Sequence, residues 1–157
     1  MIGTCQLCNE NRDLQESHII PNFVFKWLKA SSGTGYIRFG TAPNLRSQDG
    51  YKSYYLCKYC EGLFNSWETK FANTIFHPLN KGSAHIYNYG PWMLKFAVSV
   101  SWRVLLYFIN ELGLSHFPKN LQERAVDAKR YWAKFLLGKV AHPSKYEQHM
   151  IPLDRVA

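Results

Sequence analysis

The feature that most constrains this chain is a pair of cysteine doublets, Cys5-Gln6-Leu7-Cys8 and Cys57-Lys58-Tyr59-Cys60, separated by residues 9–56. Two such turns brought together supply four thiolates at tetrahedral angles to one ion with little strain. These four are all the cysteines of the chain, so no thiol is left for a separate chemistry. A redox pair would stand alone after a strand, inside a βαβ pattern, and no such pattern surrounds either doublet. The spacing also admits an iron–sulfur cluster, although nothing else in the sequence points to electron transfer. The expectation is a structural Zn2+ held by Cys5, Cys8, Cys57 and Cys60.

What surrounds this staple is constrained next by length and composition. The chain has 157 residues, 46% of them hydrophobic, which excludes wholesale disorder and allows a real core. The organisation we expect is a zinc-stapled module over residues 1–78, a linker over 79–91 containing Gly82, Gly90 and Pro91, and a helical region over 92–157. The first residues lack the basic, apolar and small-residue succession of a signal sequence. The expected setting is therefore the cytoplasm, where cysteine doublets serve as metal ligands rather than disulfides. Trp92 to Leu112 is apolar, yet Lys95 and Arg103 lie inside it. A central Arg costs about 2.5–3.5 kcal/mol on insertion into a membrane, so this stretch is read as a buried helix, with no membrane partner.

Periodicity then places the elements. Residues 3–16 read as a turn-rich knuckle and a polar stretch, Ser17 to Ile20 as a short strand, and Pro21 as the opening of a helix ending near Ala30. Tyr36–Phe39 is expected as a strand, followed by a loop through Gly50 in which Pro43, Asn44 and Asp49 act as turn residues. Tyr51–Leu56 is aromatic and suits a strand delivering the chain into Cys57. Leu63, Phe64, Trp67, Phe71 and Ile75 recur at helical spacing, so a helix is expected from Glu61 to Phe76, ended by His77-Pro78. Two more helices are expected at about 92–112 and 119–137, the second with Lys119, Arg124, Lys129, Arg130 and Lys134 on its polar face.

The succession of knuckle, Ser17-His18-Ile19-Ile20-Pro21 and Leu56-Cys57-Lys58-Tyr59-Cys60 leading into a helix resembles the zinc-stapled HNH endonucleases, a branch of the ββα-metal nucleases. The resemblance covers roughly residues 3–70. It implies an α+β chain: a small treble-clef-like, zinc-bound ββα-metal module followed by a helical C-terminal part. It also implies a metal-dependent endonuclease that hydrolyses DNA phosphodiesters, with His18 as the general base and Mg2+ or another divalent ion stabilising charge on the phosphate. An unperturbed imidazole titrates near pH 6.5 and can accept a proton at neutral pH. Two positions depart from the family pattern. Ser17 stands where the family commonly has a metal-binding Asp or His, and Glu61 stands where it commonly has His. Glu61, Asn65 and Glu68 share one helix face, so Glu61 and Asn65 are the candidates to complete a catalytic site with His18. A catalytically inactive zinc-stapled module that binds nucleic acid or protein, or a subunit of a bacterial defence system, is the alternative.

The formal charge of +8 favours an anionic partner. Arg38, Arg46, Lys52 and Lys58 lie in and beside the loop between the doublets, among Tyr36, Phe39, Tyr51, Tyr54, Tyr55 and Tyr59. Basic side chains neutralise phosphates and aromatic rings stack on exposed bases. DNA is the expected partner, RNA the alternative, and the helical region is the place where a protein partner or a second copy would pack.

Overall fold

The computed structural model describes residues 1–82 and 86–150, and the chain divides into two units, Met1–Ser83 and Ala84–Ala157. Residues 83–85 of the expected linker and 151–157 of the expected tail lie outside the described residues. Helices and small sheets are both present, so the chain is of mixed α and β character.

In the first unit, β1 (Ile2–Thr4) pairs antiparallel with β2 (Asn11–His18). The segment expected as a polar stretch is thus mostly strand. Its side chains carry no clean apolar alternation, because only Leu14 and Ser17 within it are buried; backbone pairing rather than side-chain burial holds it. After Pro21 comes α1 (Asn22–Ser31), which buries Phe25. The fixed φ of proline suits a helix entry, where its missing N–H is not needed.

A two-stranded ribbon follows, β3 (Ile37–Phe39) with β4 (Ala42–Ser47). β4 corrects the expected loop. Pro43 and Asn44 were legible only as turn residues, but an edge strand tolerates proline, and Arg38 Nη1 donates to the Pro43 carbonyl at 2.9 Å. The chain then turns at Gly50 into β5 (Lys52–Cys57), which joins the first sheet in the order β1-β2-β5. A Cβ at Gly50 would fall 2.1 Å from ring carbons of the buried Phe25, so only glycine allows this approach.

The β2–β5 register carries a bulge. Leu14 faces Cys57 and Gln15 faces Leu56, but Ser17 faces Ser53 and His18 faces Lys52. Two steps along β2 therefore span three along β5. The extra residue lies in β5, and Leu14 and Ser17 of β2 are both buried. β5 runs directly into α2 (Lys58–Phe71), with Cys57 at the N-cap. Leu7, Leu56 and Phe64 are fully enclosed.

The helix does not stop at His77-Pro78 as expected. A π-helical turn at Ala72–Phe76 leads into a further turn, α3 (His77–Asn80). Pro78 sits in the first turn of α3, where proline costs little. Phe76 packs edge-on against Phe23 and Trp27 of α1, at ring-centroid distances of 4.9 and 5.7 Å.

The second unit contains α4 (Pro91–Tyr107), a π-helical turn at Phe108–Leu112, and α5 (Lys119–Leu136). Val98, Trp102 and Leu106 of α4 and Trp132, Phe135 and Leu136 of α5 are buried. Trp102 Nε1 donates to the Lys129 carbonyl at 3.2 Å. The residues after α5 fold back on it: Trp132 Nε1 donates to the Tyr146 carbonyl at 2.7 Å, and the Tyr146 hydroxyl donates to Asp127 at 2.8 Å. Pro91–Leu112 is long and apolar enough to cross a membrane by length and composition, and it carries the buried Arg103 at its centre.

Gly50→Ala is expected to cost about 1–3 kcal/mol, the usual penalty for overpacking a filled site. Thermal or denaturant unfolding of the zinc-loaded protein measures it.

Candidate metal centre and the His18 site

The first doublet is shaped by backbone hydrogen bonds. The Cys5 N–H donates to the Glu10 carbonyl and the Asn9 N–H to the Cys5 carbonyl, each at 2.9 Å. Asn9 takes a left-handed conformation with φ of 63°, which asparagine tolerates better than most residues. The Gln6 N–H donates to the Tyr55 carbonyl at 2.8 Å and so ties the knuckle to β5. The second doublet begins where β5 becomes α2, and the Cys57 N–H donates to Cys5 Sγ at 3.4 Å.

All four sulfurs lie within 4.8 Å of one another, and Cys8 Sγ is 4.0 Å from Cys57 Sγ. Tetrahedral zinc with Zn–S bonds of about 2.3 Å places its sulfurs about 3.8 Å apart, so the set fits zinc with little movement. Cys5, Cys57 and Cys60 are buried and Cys8 is partly exposed. The electrostatics also suit a cation. A hydrogen bond from Cys60 lowers the Cys5 thiol to about 4, while the same contact with Cys5, together with burial, pushes Cys60 far up. Four adjacent thiolates repel one another, and a dication removes that repulsion. The N-terminus of α2 adds its positive end. The structure thus brings together the four ligands named from sequence, in a group suited to a structural metal such as zinc.

His18 is the last residue of β2 and is mostly covered, with 18% of its side chain exposed. Its Nε2 lies 2.7 Å from Asp49 Oδ1, in the loop between β4 and β5. The same oxygen accepts the Gly50 N–H at 2.9 Å, and Asp49 Oδ2 pairs with Lys52 Nζ at 2.7 Å. Lys52 first, then His18 and the Gly50 N–H, hold the Asp49 carboxyl well below the usual carboxylate range. Lys52 also lies 3.7 Å from Glu16. The His18 ring packs beside Phe25 at a centroid distance of 6.1 Å.

The two positions that depart from the resembled pattern meet each other. The buried Ser17 hydroxyl donates to Glu61 Oε2 at 2.6 Å, from β2 to the first turn of α2. Asn65, one turn further along α2, is exposed. Among the described residues, the four cysteines are the one group of three or more Cys, His, Asp or Glu whose ligand atoms converge. Arg38, Arg46 and Lys58 are exposed, and the Arg46 guanidinium lies 5.1 Å from the centre of the Tyr36 ring. Lys52, by contrast, is engaged by two acids. Asp49 is the residue that sequence reasoning missed as part of a site. Asp-Gly before a strand marks a turn, and only the tertiary fold brings it to a histidine far behind it in the chain.

The protein is expected to carry one zinc per chain, measured by metal analysis after gel filtration, and Cys60→Ser to lose most of it. Chelation should abolish hydrogen-exchange protection at the amides of Gln6, Leu14 and Ile19, which the stapled sheet and its turns hold in hydrogen bonds. Comparison of the chain with protein-family models, with curated proteins and with solved structures finds no match.

Proposed function

We propose that the Met1–Ser83 unit is a treble-clef-like, zinc-stapled nuclease module of the ββα-metal class that hydrolyses DNA phosphodiesters with His18 as general base. The observation that carries this reading is the position of His18: it ends β2, faces Lys52 across the β2–β5 pair, and stands in a strand–strand–helix run tied at the cysteine end. In that role the imidazole takes a proton from water as the water oxygen bonds to phosphorus. The bond from phosphorus to the leaving sugar oxygen breaks, and that oxygen takes a proton from solvent.

The second cation implied by the resemblance is Mg2+ or another hard divalent ion. Glu61 and Asn65 would hold it, and once bound it stabilises negative charge on the phosphate. Magnesium is usually bound through one or two carboxylates, with water and phosphate completing its shell. A single Glu61, whose Oε1 takes no part in the bond with Ser17, is compatible with that habit.

Exposed Arg38, Arg46 and Lys58, with exposed Tyr51, Tyr54 and Tyr59, support contact with a polyanion that offers bases for stacking. The free cysteine doublets, suited to a metal, support a cytoplasmic setting for this module. One observation favours a second reading, a catalytically inactive binding module: the Ser17–Glu61 bond joins two positions where the family commonly places metal ligands. That module would bind DNA, or a protein in a larger assembly such as a defence system, without cutting.

The purified zinc-loaded protein should nick supercoiled plasmid with magnesium, manganese or nickel, and His18→Ala should slow cleavage by about 10²–10⁴-fold. Intact plasmid with all three ions, together with salt-sensitive binding, would establish the second reading. Arg46→Ala and Lys58→Ala should each reduce the salt dependence of DNA binding by about one charge. Lys52→Ala should change it less, because Asp49 and Glu16 already engage that ammonium.

A further inference from the structure

We infer that Asp49 is a positioning residue that fixes the orientation of the His18 ring and selects, for its neutral form, the tautomer with the proton on Nε2. The inference rests on the nuclease reading for its catalytic consequence only; the tautomer is a property of the folded chain. An ionised carboxylate only accepts hydrogen bonds, so at 2.7 Å from Asp49 Oδ1 the His18 nitrogen must be the donor. Asp49 is kept ionised by Lys52 at 2.7 Å on its other oxygen and by the Gly50 N–H at 2.9 Å.

The loop that carries Asp49 is itself fixed from several sides. The Ser47 hydroxyl donates to the Asp49 carbonyl at 2.7 Å, and Lys29 of α1 donates to the Gln48 carbonyl at 2.7 Å. Gly50 rests against Phe25, whose ring also lies beside His18. Among the described residues, the charged groups linked to this pair include Asp49 from the loop, Lys52 from β5, and Glu16 from β2, which reaches Lys52. From α2 comes Glu61, which reaches Ser17, and α1 presents the uncharged Phe25. In this set Asp49 is the acid bonded to the ring, and Lys52 balances it. A carboxylate that orients an imidazole in this way selects which nitrogen can accept a proton.

Nitrogen-15 NMR of the zinc-loaded protein at alkaline pH tests this, with the His18 signals assigned by their loss in His18→Gln. The expected result is a single neutral tautomer with a slowly exchanging Nε2–H. Asp49→Ala should lose that proton signal and admit the Nδ1–H form. Asp49→Asn, which keeps the shape of the loop, should weaken the signal in the same direction because a neutral amide oxygen is the poorer acceptor. Lys52→Ala should leave the tautomer in place. In cleavage assays Asp49→Ala should lower kcat by about 10²-fold, as for a misplaced reacting group, with KM for DNA unchanged. A wild-type ring protonated on Nδ1, or a tautomer unaffected by both Asp49 variants, would overturn the assignment. Absence of cleavage with the Asp49-dependent tautomer intact would overturn the nuclease reading and leave the assignment standing.

Discussion

The tie between the knuckle and the corner where β5 becomes α2 is the constraint on which the first unit depends. Three of the four sulfurs are buried, and four thiols so close cannot all ionise without a cation between them. A bound divalent ion would replace that repulsion by attraction at the centre of the group. The tie also closes the long intervening segment, with its helix and ribbon, against loop entropy that the small core would otherwise have to offset alone.

From this anchor the rest of the site follows in steps. Cys57 fixes the end of β5, and β5 fixes the register of β2. In that register Ser17 reaches Glu61, and His18 at the strand end reaches Asp49. Gly50 lets the loop close on Phe25, which brings the carboxylate to the ring. The cysteine group and the histidine are thus linked through backbone geometry, and the pairs His18–Asp49 and Ser17–Glu61 lie at the far end of that chain of contacts. The second unit has its own logic: the apolar α4 and the amphipathic α5 bury Trp102 and Trp132, with the Tyr146 segment folded back on α5.

Much of the fold was legible because periodic burial leaves a periodic sequence. Pro21 and the spacing of Phe23, Val24 and Trp27 marked α1, and the apolar recurrence after Cys60 marked α2. β4 and most of β2 were not legible, because both strands are largely exposed and are held by backbone hydrogen bonds that any side chain permits. The continuation through Pro78 was missed for a related reason. A proline signals a break only when its place within the helical turn is unknown; in the first turn of a new segment it is tolerated.

By itself the sequence determined the ligand set, since two doublets of the only cysteines leave one economical way to satisfy them. It also determined His18 as a candidate, through its neighbours Ser17 and Ile19-Ile20-Pro21. What only the tertiary structure decided is the company these residues keep. Ser17 and Glu61 looked like two separate departures from a pattern and are one hydrogen bond; Asp49 looked like a turn residue and is the partner of His18; Lys52 looked like a phosphate contact and is held by two acids. The physical reason is common to all three. Metal ligation by doublets is encoded in local spacing, whereas a hydrogen bond between distant side chains depends on strand register and on how the connecting loop closes, and both appear only when the strands are paired.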